Sequence, residues 1–171
     1  MISRQSIRLA GFALVLSLLT ASAVRSQTMR TYANERFGTT AEVPAAWKPD
    51  PPPANGDGLI FRSPDGHASI TVSGSLHVSD TIEEEMRAYQ QLEPGAKITY
   101  RRRGPRSLVV SGTRGDTIFY NKHLLSCRDQ VWNNLYIEYP ARERAMYDAL
   151  AARVSRSLRP GHSEQVEECN K

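Results

Sequence analysis

Histidine and cysteine, the side chains on which most metal and redox sites depend, are scarce in this 171-residue chain, at four and two. His67, His77, His123 and His162 are scattered, and no two share the i, i+4 spacing of a helical metal pair. Each reads as a surface or turn residue. A Gly-x-Ser-x-Gly elbow, a glycine-rich phosphate loop and a Cys-x-x-Cys pair are all missing. Serine-elbow, phosphate-loop and redox-pair chemistry therefore have no footing in the linear sequence, and nothing calls for a metal or a cofactor. A run long enough to span a bilayer is missing too. The eleven residues from Leu9 to Leu19 rise about 1.5 Å each, against roughly 30 Å of hydrocarbon.

That short run has a different meaning in its setting. Arg4 and Arg8 precede it and Ala21-Ser22-Ala23 follows, with small residues at the positions a signal peptidase reads. Residues 1–23 are thus expected to be a secretory signal peptide. The mature protein would be exported, periplasmic or extracellular, and soluble after cleavage. No cysteine follows the cleavage site to accept a lipid, and no transmembrane anchor is expected in the mature form.

Strong charge of either sign is also absent. The chain has 22 basic and 18 acidic side chains, and cleavage removes Arg4 and Arg8, leaving an excess of two positive charges. Nucleic acid is not an expected partner at that balance. The local distribution is uneven, because Lys97 to Arg114 holds six cations and no carboxylate. Arginine outnumbers lysine 18 to 4, and a guanidinium fork grips phosphate or carboxylate in two places where an ammonium cannot.

Cys127 and Cys169 are an even number in an exported chain, and an oxidising compartment favours joining them. The expected disulfide encloses a loop worth up to about 4 kcal/mol by chain entropy. Two free thiols are the alternative reading.

Cleavage leaves 148 residues, enough for one domain. Residues 24–30 lack periodicity and read as a flexible lead-in, residues 31–160 as a single α+β domain, and residues 161–171 as a polar tail. Tyr32 to Val43 alternates weakly and stops at Pro44, which suggests a strand pair. Pro49 to Gly58 is a surface loop by composition. Leu59 to Ser63 and Ala68 to Gly74 form a hairpin through Pro64-Asp65-Gly66. Asp80 caps a helix in which Ile82, Met86, Tyr89 and Leu92 recur, with Glu83 at N3 and Pro94-Gly95 as its end.

Lys97 to Arg103, Ser107 to Thr113, Asp116 to His123 and Gln130 to Tyr139 then make an antiparallel meander. A last helix spans Arg142 to Leu158, with Met146, Ala149, Leu150, Val154 and Leu158 on its apolar stripe. The fold class is α+β, an antiparallel sheet of six to eight strands covered by two main helices.

The order of strand, Pro44-Ala45-Ala46-Trp47, loop, Gly58-Leu59-Ile60-Phe61 hairpin, helix, meander, Tyr139-Pro140 and helix resembles the PsbP and Mog1-like superfamily. The likeness is greatest to its small exported bacterial members. Asn55-Gly56-Asp57-Gly58, Asp65-Gly66, Val110-Ser111-Gly112 and Phe119-Tyr120 carry it further, over nearly the whole mature chain. All are turn and core residues, and none is a catalytic signature. The resemblance implies binding in place of a reaction, since photosystem accessory subunits, a partner of a small nuclear GTPase, secretion chaperones and envelope lipoproteins share this fold. The chain is thus expected to be a non-enzymatic binding or adaptor module acting on an envelope protein. Anionic envelope polymer or lipid is the second partner class, and a hydrolase hidden from linear sequence the third.

Two surfaces follow as candidates. Arg101, Arg102, Arg103 and Arg106 surround the Gly104-Pro105 turn and suit phosphate or carboxylate, although Arg102 points opposite to its neighbours on a strand. A charged hairpin that resists edge pairing explains them equally. Pro51, Pro52, Pro53, Asn55 and Asp57 form a stiff loop that docks at small entropic cost, or a simple connector. Phe119, Tyr120, Trp132 and Tyr136 read as core packing before a pocket. Glu83, Glu84 and Glu85 sit where helix-end amides favour carboxylates, and a hairpin turn accounts for Arg114-Gly115-Asp116.

Overall fold

Alternation of apolar and polar side chains builds the sheet around which everything else is placed. The structure, a computed structural model, describes residues 27–91 and 95–171. The signal segment, residues 24–26 of the lead-in, Leu92 and the helix-ending Pro94 lie outside the described residues.

The strands are β1 (Met29–Ala33), β2 (Thr39–Pro44), β3 (Lys48–Pro49), β4 (Gly58–Arg62) and β5 (Ser69–Leu76), followed by helix α1 (Ile82–Gln91). Then come β6 (Lys97–Gly104), β7 (Ser107–Arg114), β8 (Thr117–Ser126), β9 (Val131–Pro140), helix α2 (Arg144–Ser157) and β10 (Arg159–Pro160). Seven strands form one antiparallel sheet in the order β3-β4-β5-β9-β8-β7-β6, and β1-β2-β10 form a second. The architecture is α+β, with two sheets where the sequence suggested one. The first strand pair forms a sheet of its own, in which β2 packs on α2 and the two residues of β10 after α2 pair with β2.

The two helices lie on opposite faces of the large sheet. α2 covers a core of Val43, Trp47, Phe61, Ile70, Val72, Leu135, Ile137 and its own Tyr147, Ala151 and Val154. α1 covers a second core, in which Met86 meets Leu108, Val110, Phe119, Leu125 and Trp132. β9 serves both, because successive side chains alternate faces. Each large apolar side chain so buried contributes about 1.5–3 kcal/mol. A Cβ at Gly74 would collide with the Phe37 side chain, so glycine there lets the turn before β2 lie against β5.

Several local expectations are corrected. Met29 and Arg30 belong to β1, since the lead-in becomes the partner of β2. Thr81, not Asp80, caps α1, its Oγ1 accepting the Glu84 N–H at 3.2 Å. In α2, Met146 is 66% exposed and Ala149 is also outside, while Tyr147, Ala151, Val154 and Ser155 face inward. A 3-10 turn at Ala141–Glu143 delays the helix to Arg144, and a rotation of about 100° per residue puts Tyr147 and Ala151 on the face of Val154 and Leu158 while Ala149 falls outside it. The expected disulfide is present, and it holds the tail against the body of the protein. Val166 packs with Phe37 and Val131, and Cys169 is joined to Cys127, with Cα atoms 4.5 Å apart.

Candidate functional site

Loop 50–57 crosses from β3 to β4 and is held at both ends. At its start, Asp50 pairs with Arg62 at 2.8 Å and its N–H donates to the Ile60 carbonyl at 2.8 Å. At its end, Arg36 donates to Asp57 Oδ1 at 2.6 Å and to the Asn55 carbonyl, while Asn34 Nδ2 donates to the Gly56 carbonyl at 2.7 Å. Arg36 also donates to Gln165 of the tail. Sequence reasoning missed Arg36, whose partners are far away in the chain.

This anchoring splits the proline run. Pro51 and Pro53, with Leu59 and Ile60, wall a groove of about 510 Å³ that Asn55 and Asp57 border. Pro52 faces the other way, into a shallower hollow of about 370 Å³ beside Tyr32, Arg36 and Glu164. The expected loop residues are therefore brought together as a preformed wall, with Pro52 on its back.

The basic hairpin is likewise divided between two faces. Arg103 pairs with Glu83 of α1 at 2.8 Å, and Arg106 with Asp129 at 2.6 Å. The register sets Arg101 opposite Val110 and Arg103 opposite Leu108, on the α1 face, and Arg102 opposite Val109, on the α2 face. Arg101 and Arg102 have no ion pair with any described residue. The expected aromatic set is split in the same way. Phe119 and Trp132 are buried beneath α1, Tyr136 packs against them, and Tyr120 faces α2.

Beneath α1 the structure places a polar cluster that the scattered histidines did not announce. His123 is buried, stacks on Tyr89 with centroids 4.0 Å apart, and meets Asn134 Oδ1 through Nδ1 at 2.8 Å. Burial pushes its pKa down to about 4. Desolvation likewise pushes the Tyr89 phenol up to about 12. His77 Nδ1 donates to the Asp129 carbonyl at 2.9 Å, and its Nε2 lies 3.4 Å from Glu85 Oε2. The expectation that each histidine is a surface or turn residue fails at His123, because alternation along β8 turns it inward. Asn134 and Ser75 join His123 to Tyr89 as a structural chain.

At the opposite end of the sheet, Asp65, His67 and Glu143 present ligand atoms within 4.8 Å of one another. Asp65 also accepts from Ser63 Oγ at 2.5 Å and from the His67 N–H at 2.9 Å, which holds the β4–β5 turn and keeps its pKa low. The Asp65 carboxylate is thus engaged in turn chemistry, while Glu143 lies 3.1 Å from His67 Nδ1 and 3.2 Å from the Arg142 guanidinium. No helix among the described residues is long and apolar enough to cross a membrane.

A seven-stranded antiparallel sheet with a helix on either face and a separate small sheet is the PsbP/Mog1-like α+β fold. Two solved structures establish the likeness. Cyanobacterial PsbP (CyanoP) from Synechocystis sp. PCC 6803 superimposes with a TM-score of 0.57 at 14% identity, over 84% of this chain and 98% of that one. The Saccharomyces cerevisiae Ran-binding protein Mog1p gives 0.54 at 10% identity, over 80% and 97%. No protein-family model and no curated protein matches the sequence.

Proposed function

We propose that the chain is an exported, non-enzymatic binding module that docks an envelope protein through the proline-walled groove. The observation that carries this reading is the anchoring of loop 50–57 by Asp50–Arg62 at one end and Arg36 at the other. A wall fixed before binding loses little entropy on docking. Pro51 and Pro53 offer rigid apolar contact, while Asp57 and Asn55 give the rim polar atoms that set orientation. The Ran-binding description of Mog1p supports partner binding on this fold by analogy alone.

The test is a cross-linked capture of mature protein from its own cell envelope, in parallel with Pro51→Ser/Pro53→Ser. One protein kept at fixed ratio through a high-salt wash, and absent with the double variant, is the expected result. The same protein captured equally by the variant would remove the groove from the interface.

A second reading, binding of anionic envelope material through the basic hairpin, is favoured by Arg101 and Arg102, whose guanidinium groups pair with no described carboxylate. Ligand recovered on this surface would be lost as salt rises.

A further inference from the structure

The α2 face of the large sheet is covered only in part. α2 packs chiefly against β2, β8 and β9, which leaves side chains of β6 and β7 on that face open. The register lines them up in rows. Arg102 of β6 stands opposite Val109 of β7, which stands opposite Lys122 of β8. Tyr100, Ser111 and Tyr120 form the adjoining row. Arg102 and Lys122 are thus two strand spacings apart, about 10 Å at the backbone. That distance lets two long cationic side chains close on one anion above Val109.

The space between them is a cleft of about 360 Å³ walled on its far side by Ser155 of α2. Lys122 Nζ donates to the Ser155 carbonyl at 2.5 Å, and Tyr120 Oη meets Ser155 Oγ at 2.7 Å. An ammonium has three donors, so this anchor leaves two for a ligand. No Asp or Glu is among the described residues that line the cleft, whereas Arg103 and Arg106 nearby each have a carboxylate. Tyr100 stands half exposed at the mouth, and Ser107 adds a hydroxyl.

We propose that this cleft binds a phosphoryl group between Arg102 and Lys122, with the planar or apolar body of its carrier resting on Tyr100 and Val109. Phosphate suits the site better than a carboxylate because cations approach from two sides, and a monoester offers three strong acceptor oxygens. Half-burial lowers the Lys122 pKa, and a bound anion would raise it again by restoring a partner to the desolvated ammonium. The inference deepens the anionic reading of the hairpin and rests on it for Arg102. It adds Lys122, Tyr120 and the α2 wall, which the hairpin does not contain.

The experiment uses mature protein and three probes: inorganic phosphate, phenyl phosphate and vesicles containing phosphatidic acid, whose phosphate is a monoester. Titration calorimetry should give saturable binding of phenyl phosphate, tighter than inorganic phosphate. Arg102→Gln and Lys122→Gln should each weaken it about tenfold, the loss of one charge-assisted hydrogen bond. Arg101→Gln/Arg106→Gln should leave it unchanged. Arg102 is exposed, so its variant decides the matter even where Lys122→Gln fails to fold.

Vesicle co-sedimentation lost in Arg102→Gln would make the carrier a lipid, and phenyl phosphate binding without vesicle binding would make it a soluble phosphomonoester. Either result supports the cleft. No saturable binding of any probe would overturn it. Equal weakening in the Arg101/Arg106 variant would also overturn it, while keeping the anionic reading of the hairpin as a diffuse patch.

Discussion

His123 stays neutral at a pH where an exposed imidazole is charged, because protonating it would place a cation between Tyr89 and the sheet without a carboxylate against it. Its pKa falls to about 4 from 6.5, so the stability it contributes is fully present above pH 6.5 and is lost as pH falls towards 4. The unfolded chain takes up the proton first over that interval. The loss amounts to about 3 kcal/mol at the lower end. Urea unfolding at pH 7, 5 and 4 should show it in the native protein and not in His123→Gln. Equal acid losses in the two proteins would place the sensitivity elsewhere.

A second residue-scale prediction concerns the turn between β8 and β9. Cys127, Arg128 and Asp129 all have positive φ, at 56°, 53° and 66°. Three consecutive side chains in the left-handed region are costly, and two of them have reasons to be there, the disulfide at Cys127 and the Arg106 pair at Asp129. Arg128 is exposed and has neither. Arg128→Gly should raise the urea midpoint by the equivalent of about 0.5–1 kcal/mol. A lower midpoint would refute that accounting.

Among the elements, the tail has the longest reach. Its Glu164 and Gln165 N–H groups donate to the carbonyls of Glu35 and Arg36 at 2.9 and 3.2 Å, and Ser163 Oγ donates to the Arg36 carbonyl at 2.6 Å. Arg36 in turn holds the end of loop 50–57. The Cys127–Cys169 bond therefore secures the tail, the tail secures Arg36, and Arg36 secures the groove wall. Cys127→Ala/Cys169→Ala should cost about 2–4 kcal/mol. It should also speed hydrogen exchange at Gly56 N–H, which donates to Pro53 within the loop at 3.0 Å. Unchanged exchange at Gly56, with the tail opened, would show that Arg36 holds the loop unaided.

Elements whose cause is local were readable from sequence. The β4–β5 hairpin follows from Asp65-Gly66, with Gly66 at φ 76°, and the meander from turns at Gly104-Pro105 and Arg114-Gly115. The stripe of α2 was misread at its start, because Tyr147 and Ala151, not Met146 and Ala149, share the buried face with Val154 and Leu158. The proline wall was visible as composition, but not its clamp, since Arg36 and Asp57 are separated by β2, β3 and the loop itself. Four arginines were visible as a run, but not that Glu83 and Asp129 oppose two of them. Pairing across the fold decides which charges remain available, and no local pattern encodes it.

At the scale of the whole molecule, one sheet separates two apolar cores, and each core contains one of the two tryptophans. Trp47 lies in the α2 core and Trp132 in the α1 core, both buried. The faces are not independent, because β8 and β9 contribute side chains to both: Leu135 and Ile137 on one side, Phe119, Leu125 and Trp132 on the other. Opening one face exposes the backs of strands that the other face needs, which favours one cooperative transition. Single-tryptophan variants Trp47→Phe and Trp132→Phe give each face its own fluorescence signal. In each variant the remaining tryptophan should report the same urea midpoint as circular dichroism of that variant. Adding Met86→Ala, at a cost of about 2–5 kcal/mol, should lower the Trp47 signal's midpoint although Trp47 lies on the opposite face. A Trp47 midpoint unmoved by Met86→Ala would mean that the α1 face melts by itself, and β9 would then be a boundary between two folding units and not the strand that joins them.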